Sequence, residues 1–145
     1  MKIEFKGYYF IVISEKIVRK LGEYISLGSN AMAITIYPFL IVRPDTRNNK
    51  DLLRHETIHI RQQIELLIIG AWLLYIVEYC WAKFFKKLDA RQAYYFTALE
   101  QEAHRNDRDE NYLKKRKPYA VLKYIKDKKW LARGPNDELI VKEYD

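Results

Sequence analysis

The chain is short of cysteine, histidine and long apolar runs, and each shortage excludes something. One cysteine (Cys80) in 145 residues leaves no disulfide framework and no cysteine-based zinc knuckle within one chain. No uncharged apolar run reaches the roughly 20 residues that a membrane-spanning helix needs. The longest, Leu66–Val77 between Glu65 and Glu78, suits a buried helix or one lying on a membrane surface, since Lys83, Lys86, Lys87 and Arg91 follow. Met1–Lys6 carries charges through its first turn and lacks the apolar segment of a secretory signal; a cytoplasmic or membrane-associated protein is expected. Residues 111–133 are nearly free of acid: nine Lys and Arg stand against Asp127 alone. That segment carries the whole excess behind the net charge of +7, and the rest of the chain is near neutral.

With 49% apolar and 14% aromatic residues, the chain is expected to fold, and its length fits one domain over 1–145. Residues 2–13 alternate loosely and are rich in Ile, Phe, Tyr and Val, as a strand is. Ser14 can cap a short helix, Glu15–Leu21, that Gly22 ends, and Leu27–Asn30 is a turn cluster. Ala33–Val42 predicts a second strand, which Pro38 restricts to an edge or a bulge.

From Asp51, taken as the N-cap, the pattern turns helical. A long helix is expected over 52–69, with Gly70 as a kink or join to a second helix over 71–87. Asp89 and Gln92 form a capping-box pair that opens a third helix over 90–106. Pro118 marks the start of a further helix over 119–129, and Gly134–Asp137 is a turn before a terminal strand or tail at Leu139–Tyr144. The expected class is α+β: a small N-terminal antiparallel sheet or hairpin over 1–50, a helical body over 51–130 and a tail over 131–145.

The chemistry concentrates in His55-Glu56-Thr57-Ile58-His59, inside the first long helix. An i, i+4 pair of imidazoles lies about 40° apart on one helix face, one turn from each other. Both can reach one Zn²⁺ at about 2.0–2.1 Å, and Glu56 can address a water on that ion without being a ligand. Two of only three histidines fall in this pattern. A third ligand is expected from the helix carrying Phe96–His104. Glu100 and Glu102 lie about 200° apart there, so one of them can face the metal. Glu100 flanks the apolar stripe of Phe96, Leu99 and Ala103, and Glu102 flanks its other edge beside Tyr95. His104 shares the face of Glu100 as a supporting group, a hydrogen-bond donor or a competing ligand. Tyr94, Tyr95 and Arg91 are further donor candidates for a transition-state oxyanion. Two His and a carboxylate also accept divalent metals other than zinc.

HETIH followed some forty residues later by a helical Leu-Glu-Gln-Glu-Ala (99–103) resembles the gluzincin class of zinc metallopeptidases. Many of them carry Glu-x-x-Ala-Asp downstream, where this chain has His104 in place of the Asp. Tyr37–Arg43, Leu52–Leu67 and Arg116–Tyr119 are also similar to short, uncharacterised bacterial proteins of this zincin-like kind. The resemblance implies His55, His59 and Glu100 as zinc ligands, Glu56 as general base and a peptide or protein substrate. It also implies that Ala33–Val42, as an edge strand, binds the substrate backbone. A second expectation is a non-catalytic, metal-containing binding or assembly protein that meets an anionic membrane or nucleic acid through residues 111–133. There Tyr119, Tyr124 and Trp130 interleave with the cations.

Overall fold

In the computed structural model, which describes residues 1–24 and 31–143, both apolar segments of the N-terminal region fold back on themselves. Lys2–Phe5 (β1) and Phe10–Ile13 (β2) pair antiparallel, and the turn between them passes through Gly7 at φ +85°. That left-handed backbone is cheap only for glycine. After the helix Glu15–Tyr24 (α1), Ala33–Ile36 (β3) and Phe39–Val42 (β4) form a second antiparallel pair across Tyr37 and a cis Pro38. The strands expected over 2–13 and 33–42 are therefore two hairpins. Pro38 sits in the turn, where its missing N–H costs no ladder bond. The turn cluster expected at Leu27–Asn30 lies outside the described residues.

β2 and β4 pair in parallel, giving one sheet of order β1-β2-β4-β3. Successive side chains leave opposite faces of a strand. Ile11, Ile13, Leu40 and Val42 accordingly meet Leu52 and Leu53, while Val12, Ile34 and Ile41 meet Ile17, Val18 and Leu21 of α1. Burial on both faces explains why these strands read as unbroken apolar runs. α1 runs through Gly22 instead of ending there. Docking of its apolar side on the sheet outweighs the roughly 1 kcal/mol that a helical glycine costs.

Lys50–Glu65 (α2) carries the HETIH sequence, and its N-cap is Asn49 rather than Asp51: Asn49 Oδ1 accepts from Leu52 N at 3.1 Å. The helix stops where Leu67 and Ile68 take positive φ, and the chain bends by 110° into Ile69–Phe84 (α3). Gly70 thus lies inside α3 and is not the join; the bend lets Ala71 and Leu74 pack with Leu99 and Val121. Among the described residues no single helix is long and apolar enough to cross a membrane.

The capping box of Asp89 and Gln92 opens Ala90–Phe96 (α4) as expected. The single helix expected over 90–106 is broken at Thr97 (ψ 143°), and a new helix covers Ala98–Asn106 (α5). Its N-terminus is capped from outside, because buried Glu78 of α3 accepts from Ala98 N at 2.6 Å. A short helix, Tyr112–Lys115 (α6), follows. The helix expected over 119–129 is only a 3-10 segment, Ala120–Ile125. Lys129–Arg133 (β5) and Leu139–Glu143 (β6) then pair around the turn at 134–137, so the expected tail is a hairpin. Gln101 of α5 holds it, donating to Lys129 O at 2.5 Å and accepting from Lys129 N at 3.0 Å. The architecture is α+β, a small N-terminal sheet followed by a helical body.

Candidate metal centre

One face of α2 meets α5, and the two helices bring His55, His59 and Glu100 together. His55 Nε2 and His59 Nε2 are 3.2 Å apart. Glu100 Oε2 lies 3.4 Å from the first and Oε1 lies 3.1 Å from the second. Tetrahedral ligands at about 2.0–2.1 Å from a zinc ion stand about 3.3 Å from one another. The three side chains are already at that separation, and all three are largely buried.

Their hydrogen-bond partners assign the tautomers. Asp107 Oδ2 takes the Nδ1 proton of His55 at 3.2 Å, which leaves the lone pair on Nε2. For His59 the chain of reasoning is longer. Gln62 Nε2 donates to Glu102 Oε2 at 2.9 Å and to Leu99 O at 3.1 Å, so its amide can point only one way. Its Oε1 is then turned to His59 and accepts from Nδ1 at 2.8 Å. Two Nε2 lone pairs facing each other at hydrogen-bond distance repel unless something positive lies between them.

The electrostatics agree. Burial opposes protonation of His55, yet the hydrogen bond to Asp107 and the neighbouring Glu100 carboxylate raise it to about 10. Burial also opposes protonation of His59, and the Glu100 charge outweighs it, so this imidazole too is raised. Burial alone would raise the Glu100 carboxyl, but His59, His104 and His55 hold it well below the ordinary carboxylate range. A site that draws a proton this strongly draws a cation for the same reason. Glu100 Oε2 is also a buried oxygen without a hydrogen bond, the state of a ligand atom awaiting an ion. The residues therefore fit a divalent metal such as zinc.

His104 has the opposite tautomer. Arg133 Nη2, from β5, donates to His104 Nδ1 at 3.2 Å, which puts the proton on Nε2. Nε2–H lies 3.3 Å from Glu100 Oε2 without hydrogen-bond geometry, so it is an unspent buried donor and not a ligand. Burial, then the charge of His55, lowers its pKa to about 4, which keeps the ring neutral. His55, His104 and Asp107 also lie close enough to share an ion. Arg133 occupies that place, since the same Nη2 donates to Asp107 Oδ2 at 2.5 Å.

Glu102 faces away from the histidines. It is fully buried, accepts from Tyr112 OH at 2.9 Å and from Arg116 Nε at 2.5 Å, and Arg116 continues to Glu65 at 2.6 Å. Glu102 is linked to the centre through Gln62. The choice between Glu100 and Glu102 that helix geometry left open is thus decided by what surrounds α5.

Glu56 is buried beside His55, on the side of β3. Thr35 Oγ1 donates to Glu56 Oε2 at 2.6 Å, and Gln63 ties the same strand to α2 through Thr35 O at 2.9 Å and Tyr37 N at 2.8 Å. The hollow beside the centre is lined by Ala33, Thr35, Glu56, His59, Tyr94 and Glu100. Burial pushes the Tyr94 phenol well above its ordinary value, and Glu100 and Glu56 add to it, so Tyr94 stays a donor. Tyr95 packs its ring on His104 at 4.9 Å, and Arg91 is exposed at the outer rim.

Asp107, Gln62, Thr35 and Arg133 are the functional residues that sequence reasoning missed. Gln62 and Asp107 each lie three residues beyond a histidine, and that spacing is a usable signal. Thr35 follows from strand alternation once β3 is known to face α2. Arg133 had none, being brought in by the hairpin of β5. Comparison of the chain with protein-family profiles, curated proteins and solved structures finds no match.

Proposed function

We propose that this protein is a zinc-dependent hydrolase of the gluzincin type that cleaves peptide bonds. One observation carries the reading: two imidazoles locked in the ligand tautomer converge with a buried carboxylate at zinc-ligand spacing, beside a second buried carboxylate. Zinc bound there supplies Lewis acidity, lowering the pKa of a water and polarising a carbonyl. Glu56 takes the proton of the attacking water and returns it to the leaving amine. Thr35 holds one Glu56 oxygen at 2.6 Å, which fixes the carboxylate and leaves Oε1 for the proton.

The substrate lies along β3. Arg43 N donates to Met32 O at 3.1 Å, so ladder alternation turns the N–H and C=O of Ala33 and the N–H of Thr35 to the free edge. Gln63 covers the edge beyond, at Thr35 O and Tyr37 N. An extended peptide therefore pairs with Ala33 and reaches its turning point beside Glu56. Tyr94 OH and His104 Nε2–H, both beside Glu100, are donors for negative charge developing on the carbonyl oxygen.

Nucleic-acid binding through residues 111–133 has less support. Lys115, Arg116, Lys128, Lys129 and Arg133 are ion-paired within the protein, which spends much of that charge.

The test is Glu56→Gln, with zinc content and cleavage of a mixed peptide library measured together. The expected variant keeps one zinc and loses cleavage by about a hundredfold or more. Loss of zinc and fold together would make Glu56 a structural residue and refute its role as base.

A further inference from the structure

α3 reverses the usual pattern of a surface helix. The side turned to solvent carries Ile69 (72% exposed), Leu73, Ile76, Val77 (65%) and Phe84 (68%), which helical periodicity places along one face. Leu67, Trp81 and Phe85 extend the exposed apolar surface at the two ends. The one charge within the helix before Lys83 is Glu78, and it points inward, held by Lys128 at 2.5 Å and by Ala98 N. No charged side chain therefore interrupts the outward stripe before Lys83.

The rim of this stripe is basic. Lys83 lies in the last turn of α3, beside Phe84, and Lys86 and Lys87 follow the helix, with Lys86 Nζ 5.6 Å above the Phe96 ring. On its flank the 3-10 segment packs Val121 and Tyr124 against Ala71 and Leu74, and leaves Leu122 and Ile125 partly exposed beside Lys123 and Lys126. The neighbouring acids are engaged: Glu65 with Arg116, Glu78 with Lys128, Asp127 with Arg105, and Asp89 as the cap of α4. The apolar helix and the basic segment, some forty residues apart in the chain, pack against each other through their buried sides.

We infer that this surface docks the protein on an anionic lipid bilayer, with α3 lying in the headgroup plane. Sixteen residues give a helix of about 24 Å, too short to cross the hydrocarbon core but fitted to rest in its boundary. The lysine rim selects the occupant. A two-fold contact with a second copy brings no acidic partner to the lysines, whereas an anionic leaflet neutralises them. Trp81, Phe84 and Phe85, next to Lys83 and Lys86, have the chemistry of a headgroup-level anchor. This inference does not rest on the proposed catalysis, and its test does not read zinc or cleavage.

The test is flotation of the full chain with vesicles of phosphatidylcholine alone or mixed with phosphatidylglycerol, at low and high salt. Binding is expected to the anionic vesicles, at least about tenfold above the neutral ones, and to weaken with salt. Val77→Asp is expected to lower it by about tenfold or more, as is Lys86→Glu with Lys87→Glu. Should Val77→Asp unfold by circular dichroism, Leu73→Ser takes its place. No binding by the native chain, or equal binding to both vesicles, overturns the inference. So does a concentration-dependent dimer that Val77→Asp dissolves in the absence of vesicle binding.

Discussion

Replacing Asp107 examines the centre through a residue that touches no metal. Asp107 Oδ2 orients His55 by accepting its Nδ1 proton at 3.2 Å and is itself fixed by Arg133 at 2.5 Å. It stands one helical turn beyond His104, the position where the gluzincin pattern has an acid. A carboxylate behind a ligating histidine typically contributes 10–100-fold in metal affinity, about 1.4–2.7 kcal/mol. The two obvious substitutions divide that range. Asp107→Asn keeps an oxygen able to accept from His55 but loses the charge, so the lower end, about tenfold, is expected. Asp107→Ala loses both and leaves the His55 ring free to turn, so the upper end, about a hundredfold, is expected. Zinc affinity is read by competition with a chromogenic chelator, and thermal unfolding of the metal-free variants shows whether the fold persists. A folded Asp107→Ala variant that binds zinc within about twofold of the native protein would refute the reasoning.

Other perturbations separate the supports of the fold from those of the centre. Zinc at a hundredfold excess over its dissociation constant is expected to stabilise the native protein by about 2.7 kcal/mol, seen as a rise in Tm, and to leave Tm unchanged in His59→Ala. Glu102→Ala leaves Arg116 buried without its nearest partner and is expected to cost about 3–5 kcal/mol in denaturant unfolding. It should also weaken zinc binding, because Gln62 is then free to turn its amide away from His59. Glu78→Ala strips Lys128 and the N-terminus of α5 at once, and about 3–5 kcal/mol is expected again. Glu78→Gln, which still accepts from Ala98 N, should cost less, and equal losses would refute the capping role.

The class of fold and the histidine pair were legible without coordinates, because both rest on local periodicity. Short runs rich in Ile, Val, Phe and Tyr marked the apolar segments of the sheet, and the i, i+4 spacing of His55 and His59 put both rings on one face of whatever helix formed. The Asp89–Gln92 box was legible for the same reason: its two hydrogen bonds close within four residues.

What failed locally failed where a distant partner decided. The helix over 90–106 breaks at Thr97 because Glu78, twenty residues earlier, caps a new start at Ala98. The helix expected over 119–129 does not reach its end, because Gln101 binds the backbone at Lys129 and β6 supplies that residue's strand with a partner. Glu100 and Glu102 are two residues apart on one helix, and nothing between them tells which meets the histidines. Their roles separate because α2 lies on one side of α5 and Arg116 on the other.

The sequence by itself determined that two imidazoles and a glutamate would share a helix face and that the chain would carry one concentrated basic segment. Only the tertiary structure decided which carboxylate meets the two histidines, which nitrogen of His104 bears its proton and what the basic segment adjoins. Helical spacing is a property of a few bonds along the chain. The tautomer of a buried histidine depends on Arg133 arriving from another element, and that depends on the packing of the whole.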